Sequence, residues 1–149
     1  MMSSKAYFRT SVGLALAGTA FAGYLSGVKL LTDTCAFNEP CPYFLGYPAC
    51  WYGFALFLSL LAVSVAGMRA MLREPLAKRL LAGISALGIV FAGSFVVQEV
   101  IAWLAVGRIL GYGLGLPTCV YGLVFYIAIF LCTVLQYGKS RSQSATLSA

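Results

Sequence analysis

The sequence predicts an all-α integral membrane protein: a four-helix bundle made of two tandem helical hairpins, with both termini in the cytoplasm. Three observations carry this. The 149-residue chain is 61% hydrophobic and 9% charged, with a mean hydropathy of +0.91, whereas a soluble domain is about a quarter charged. The apolar residues fall into four runs, each near the ~20 residues that a bilayer core requires. Those runs also repeat two by two.

The first span runs from about Ser11 to Leu31 and the second from Pro48 to Met68. The third runs from about Leu80 to Val106 and the fourth from Pro117 to Tyr137. Helices are expected because backbone polar groups in lipid must be satisfied within the segment. Pro48 and Pro117 suit a first helical turn, where a missing N–H removes no intrahelical bond. Residues 1–139 form one membrane domain, with repeat 1 at about 11–71 and repeat 2 at about 80–138. Residues 140–149 read as a polar, Ser-rich, disordered tail.

Charge placement sets the orientation. Lys5 and Arg9 precede the first span, Arg69, Arg73, Lys78 and Arg79 fill the second connection, and Lys139 and Arg141 follow the fourth span. Only Lys29 and Arg108 fall on the other side. An excess of Lys and Arg marks cytoplasmic loops, which implies a multi-pass protein of the cell (inner) membrane with its cysteine-bearing loops outside. The net charge of +6 therefore points to topology, not to nucleic acid. Basic residues before an apolar run also describe a signal peptide, but the first span is echoed later in the chain and is read as a span.

The echo is specific. Phe21-Ala22-Gly23 recurs as Phe91-Ala92-Gly93, and YFLGYPACWYGF from Tyr43 recurs as YGLGLPTCVYGL from Tyr112. The shared residues are Tyr, Leu, Gly, Pro, Cys, Tyr and Gly. Two spans per repeat give both copies the same orientation, related by an axis along the membrane normal. The bland reading of the repeated glycines is close helix packing.

Histidine is absent, which removes His-based triads and most transition-metal sites. Asp33, Glu39, Glu74 and Glu99 are the only acids, too few for a di-iron carboxylate centre. The chemistry that remains belongs to cysteine. Cys35 and Cys41 lie in the first outward loop, and Cys50 and Cys119 open the second and fourth spans at equivalent positions. A cysteine in a first helical turn has its thiolate favoured by the helix dipole. Equivalent residues of a two-fold repeat meet if they lie near the axis, so Cys50 and Cys119 are candidates for a pair. Structural staple and redox-active pair are both open readings. Cys132, deep in the fourth span, reads as a packing residue. Four thiolates also suit a soft metal, but the spacing matches no ligand pattern and no metal is expected.

The FAG alignment sets Lys29 opposite Glu99. Intramembrane charges tend to face a bundle interior or each other, so these two are candidate ligand-binding residues. Snorkelling of Lys29 to the headgroups is the plainer alternative. Tyr52 and Tyr121, also equivalent, either line a pocket or serve an interfacial aromatic belt.

The stretch AGTAFAGYLSGVKLL from Ala17, the loop with Cys35 and Cys41, and LGYPACWYGFALFLSLL from Leu45 resemble the vitamin K epoxide reductase family, and with it the DsbB-like disulfide-forming proteins. Glu99 also resembles an acidic residue common in bacterial members. The resemblance implies a four-helix bundle around a quinone. Electrons would pass from the loop cysteines Cys35 and Cys41 to a pair at the start of the fourth helix, where Cys119 matches, and then to quinone. A thioredoxin-like protein outside the membrane would be the partner. The fourth-helix Cys-x-x-Cys is replaced here by Cys119-Val-Tyr-Gly122, and Cys50 stands where the family has another residue, so Cys50 would replace the missing partner. The expected function is thus a quinone-coupled thiol–disulfide oxidoreductase. The alternative is a non-catalytic, disulfide-stapled carrier, receptor or scaffold.

Overall fold

The computed structural model describes residues 4–32, 42–106 and 117–147. It contains four long helices: α1 (Ser4–Thr32), α2 (Ala49–Met68), α3 (Glu74–Val106) and α4 (Thr118–Leu147). Each is long and apolar enough to cross a membrane. Only 17–22% of each span is buried inside the bundle, so most of each apolar helix faces outward, and Leu87, Val90, Val97 and Leu135 are exposed. Water is a poor solvent for such a surface; lipid is a good one.

α1 and α3 begin earlier than their apolar runs, at Ser4 and Glu74. Once a helix is nucleated, each added residue gains a hydrogen bond, and these first turns also have partners. Tyr7, Phe8, Ala77 and Lys78 are all buried. α4 likewise runs on to Leu147, across the segment whose composition marks it as a polar tail.

A small hairpin that the sequence reading did not anticipate precedes α2. Strands β1 (Tyr43–Phe44) and β2 (Tyr47–Pro48) pair antiparallel, with Tyr43 opposite Pro48 and Phe44 opposite Tyr47. Leu45 and Gly46 form the two-residue turn, with φ of 49° and 87°. Positive φ at both central residues matches the strand twist; Gly46 adopts it at no steric cost, while Leu45 carries one. The amide of Ala49 donates to the Pro42 carbonyl at 2.9 Å, which ties the hairpin to the start of α2.

α2 ends in a close reversal. The Met71 amide donates to the Ala66 carbonyl at 2.9 Å and the Ala70 amide to the Gly67 carbonyl at 3.2 Å. This is the paired bonding of a Schellman cap, whose left-handed position Ala70 occupies with φ of 56°.

α1 packs most extensively on α2 and α3 on α4; α2 then meets α3, and α1 meets α4. The close approach within each hairpin depends on glycine, and one such contact is shared by both. A Cβ on Gly18 would collide with the Phe57 ring, and a Cβ on Gly88 would collide with the Tyr126 ring. Gly18 and Gly88 are 70 positions apart, as are the FAG segments, and Phe57 and Tyr126 are 69 apart, as are the Cys segments. Matching positions therefore make matching contacts.

One end of the bundle carries the basic residues. The Tyr7 hydroxyl and Thr133 Oγ1 are hydrogen-bonded at 2.8 Å, and the Tyr137 hydroxyl donates to the Pro75 carbonyl at 3.1 Å. Lys78 bonds Glu74 at 2.6 Å and holds its ammonium 5.8 Å from the Tyr7 ring centre. These contacts bring together the start of α1, the start of α3 and the second half of α4. The hairpin, the end of α1 and the start of α4 lie at the opposite end.

Candidate functional site

A cavity opens at the hairpin end, among all four helices. Its volume is about 90 Å³. Small-molecule pockets span about 300–1,000 Å³, and this cavity is smaller than that.

The lining follows helical periodicity. On α2, Cys50, Gly53 and Phe57 fall at i, i+3 and i+7, one face of the helix. On α4, Cys119, Gly122 and Tyr126 repeat that spacing. α1 adds Phe21, Ala22 and Leu25, and α3 adds Phe91, Ala92 and Phe95 at the matching positions. Thr118 faces the cavity from α4 where α2 presents Ala49. Pro42 and Pro48 close it from the hairpin side. No charged side chain lines it among the described residues.

The deepest lining is aromatic. Phe57 and Tyr126, 2% and 1% exposed, stack with ring centres 4.2 Å apart and planes 8° from parallel. The Tyr126 hydroxyl donates to the Gly53 carbonyl at 3.1 Å. A buried phenol is thereby satisfied, and α4 is tied to α2 beneath the cavity.

Both span-opening cysteines lie on this cavity. Cys50 and Cys119 are partly buried thiols, and no disulfide occurs among the described residues. The Ser26 hydroxyl donates to the Cys50 carbonyl at 3.2 Å. Cys35 and Cys41 lie outside the described residues. Cys132 is also partly buried, packs against the core and is not among the cavity-lining residues.

No family model, curated protein or solved structure matches this chain. Its site must therefore be read from its own geometry.

The other residues singled out in the sequence sit around the cavity rather than on it. Tyr52 stands behind Phe91, with ring centres 5.7 Å apart, and Tyr121 behind Phe21 at 5.9 Å. Each tyrosine thus supports a lining phenylalanine of the other hairpin. Lys29 follows Leu25 by four residues and Glu99 follows Phe95 by four, so each is on the lining face one turn nearer the helix end. The Lys29 ammonium lies 5.8 Å from the Tyr43 ring centre.

Sequence reading missed the walls: Phe21, Phe91, Leu25, Phe95, Phe57, Tyr126 and Thr118. A signal for most of them was present. Counting three and seven positions from each repeated cysteine reaches Gly53 and Phe57, then Gly122 and Tyr126, and the FAG repeat itself contains Phe21 and Phe91.

Proposed function

We propose that this chain is a membrane thiol–disulfide oxidoreductase that couples oxidation of Cys50 and Cys119 to reduction of a membrane quinone bound in the cavity. The observation that carries the reading is the convergence of these two thiols, 69 positions apart, on one apolar, aromatic-walled cavity. Both belong to the first turn of a helix whose lining face continues down the cavity wall. The two hairpins are related in this reading by a pseudo-two-fold axis through the Phe57–Tyr126 stack. The basic end faces the cytoplasm and the cavity opens toward the other side.

The exchange balances simply. Two thiols lose two protons and two electrons and form one S–S bond; the quinone takes up both and leaves as quinol. Cys35 and Cys41 act as the shuttle to a thioredoxin-like partner, in keeping with the resemblance to the vitamin K epoxide reductase family. Lys29 and Glu99, one turn above the lining, flank the path of a ligand entering the mouth.

Disulfide mapping in membranes with thiols trapped tests this, before and after brief reduction and again after adding a quinone. A Cys50–Cys119 bond that opens with reductant and re-forms with quinone supports it. The bond requires Cα atoms within about 7 Å, so its failure to form under oxidation overturns the pairing. A cavity without charged side chains also suits simple retention of an apolar molecule. Thiols that quinone leaves unchanged would favour that non-catalytic carrier or receptor.

A further inference from the structure

The cavity walls are matched in pairs, and the pairs that differ do so in one direction. Phe21 matches Phe91, Ala22 matches Ala92, Gly53 matches Gly122 and Cys50 matches Cys119. Where α1 and α2 present Leu25, Ala49 and Phe57, α3 and α4 present Phe95, Thr118 and Tyr126. The second hairpin is thus bulkier at one pair and carries an added hydroxyl at two.

These hydroxyls are not equivalent. That of Tyr126 is held below the cavity by the Gly53 carbonyl. Thr118, which carries the other, lines the cavity beside Cys119 at the start of α4. A threonine hydroxyl has one donor and two acceptor positions, so it can bond a ligand while also serving a protein group.

From this we infer that Thr118 determines ligand specificity and orientation: the cavity takes a flat, apolar ring bearing a carbonyl at one edge, held with that carbonyl against α4. Ala49 across the axis offers only a methyl group, so the ring enters one way round. The inference rests on the ligand-binding reading above and adds the direction of the ligand within it. An apolar pocket discriminates weakly between similar hydrocarbons, whereas a site that hydrogen-bonds one polar group discriminates well against ligands lacking it.

Duroquinone and durene are suitable probes, being the same methylated ring with and without carbonyls. Full methylation blocks addition of thiols to the quinone ring. Binding to the purified full chain in detergent can be followed by quenching of its tryptophan and tyrosine fluorescence. Thr118→Val should weaken duroquinone about tenfold, the size of one neutral hydrogen bond of roughly 1.4 kcal/mol, and leave durene unchanged. Thr118→Ser should keep the wild-type preference. The double variant Ala49→Thr/Thr118→Ala, which moves the hydroxyl across the axis, should recover duroquinone affinity.

Equal loss of both probes in Thr118→Val, or loss of neither, overturns the assignment while the cavity reading stands. Loss of preference in Thr118→Ser, or no recovery in the double variant, also counts against it. Failure of duroquinone to bind the wild-type chain overturns the cavity reading itself.

Discussion

The ring of Phe57 lies flat against that of Tyr126, with centres 4.2 Å apart, and each ring is cradled by a glycine of its own hairpin, Gly18 or Gly88. The two residues occupy matching positions of the repeated segments, and matching positions touch only where they come close to a shared axis. The stack is at once the centre of the bundle and the base of the cavity. Aromatic pairs of this kind contribute about 0.5–1.5 kcal/mol beyond the area they bury.

Filling the glycine cradles should separate the helices. Gly18→Val and Gly88→Val each place a side chain where an aromatic ring now lies. Overpacking typically costs about 1–3 kcal/mol. Thermal unfolding in detergent should show both variants destabilised to a similar degree, whereas Gly13→Ala, which meets no neighbour within 4 Å, should be nearly silent.

At the α2–α3 turn, Ala70 holds φ of 56°, a conformation that costs a residue with a Cβ about 1–2 kcal/mol. Ala70→Gly removes most of that cost and loses little in return, because Ala70 is exposed. The variant should be more stable by about 1 kcal/mol in denaturant titration. Ala70→Val should be less stable.

Ser64 and Thr133 hold matching positions with opposite outcomes. Thr133 bonds both the Tyr7 hydroxyl and the Ile129 carbonyl, whereas the fully buried Ser64 hydroxyl has no partner. The position matching Tyr7 is Ala77, which has no hydroxyl to offer. Ser64→Ala should therefore stabilise the protein by about 1 kcal/mol, and Thr133→Val should destabilise it by about as much. Parallel unfolding curves would show the opposite signs.

If the proposed chemistry holds, Cys119→Ser should abolish quinone-dependent thiol oxidation, and so should Cys50→Ser. Cys132→Ser should retain it, since Cys132 is absent from the cavity lining. Quinol formation by membranes carrying each variant, followed by absorbance, is the measurement. Undiminished turnover by Cys119→Ser would sink the mechanism.

The spans were legible because lipid imposes a length and a polarity that composition alone reveals. The cavity cysteines were legible because a repeat marks positions that converge. Helix rotation decided the rest. Tyr52 follows Cys50 by two residues, roughly 200° around the helix, so it cannot share the face of Cys50 and instead supports Phe91 from behind. Lys29 and Glu99, read as candidate ligand-binding residues toward the outer ends of their helices, follow the lining residues Leu25 and Phe95 by one turn on the same face. The hairpin was missed because two-residue strands leave almost no periodic signal, and Leu45 is an unusual choice for a positive-φ turn.

The Arg69–Arg73 turn has a further consequence. Helix contacts are densest within each hairpin and sparser between them, while the turn joining the hairpins is short, exposed and on the outside of the bundle. Each hairpin can thus enter the bilayer and close on its own glycine before it meets its sibling. The covalent link between them sets stoichiometry more than shape. Two separately made halves, cut at this turn, would meet again only through α2–α3, α1–α4 and the stacked rings.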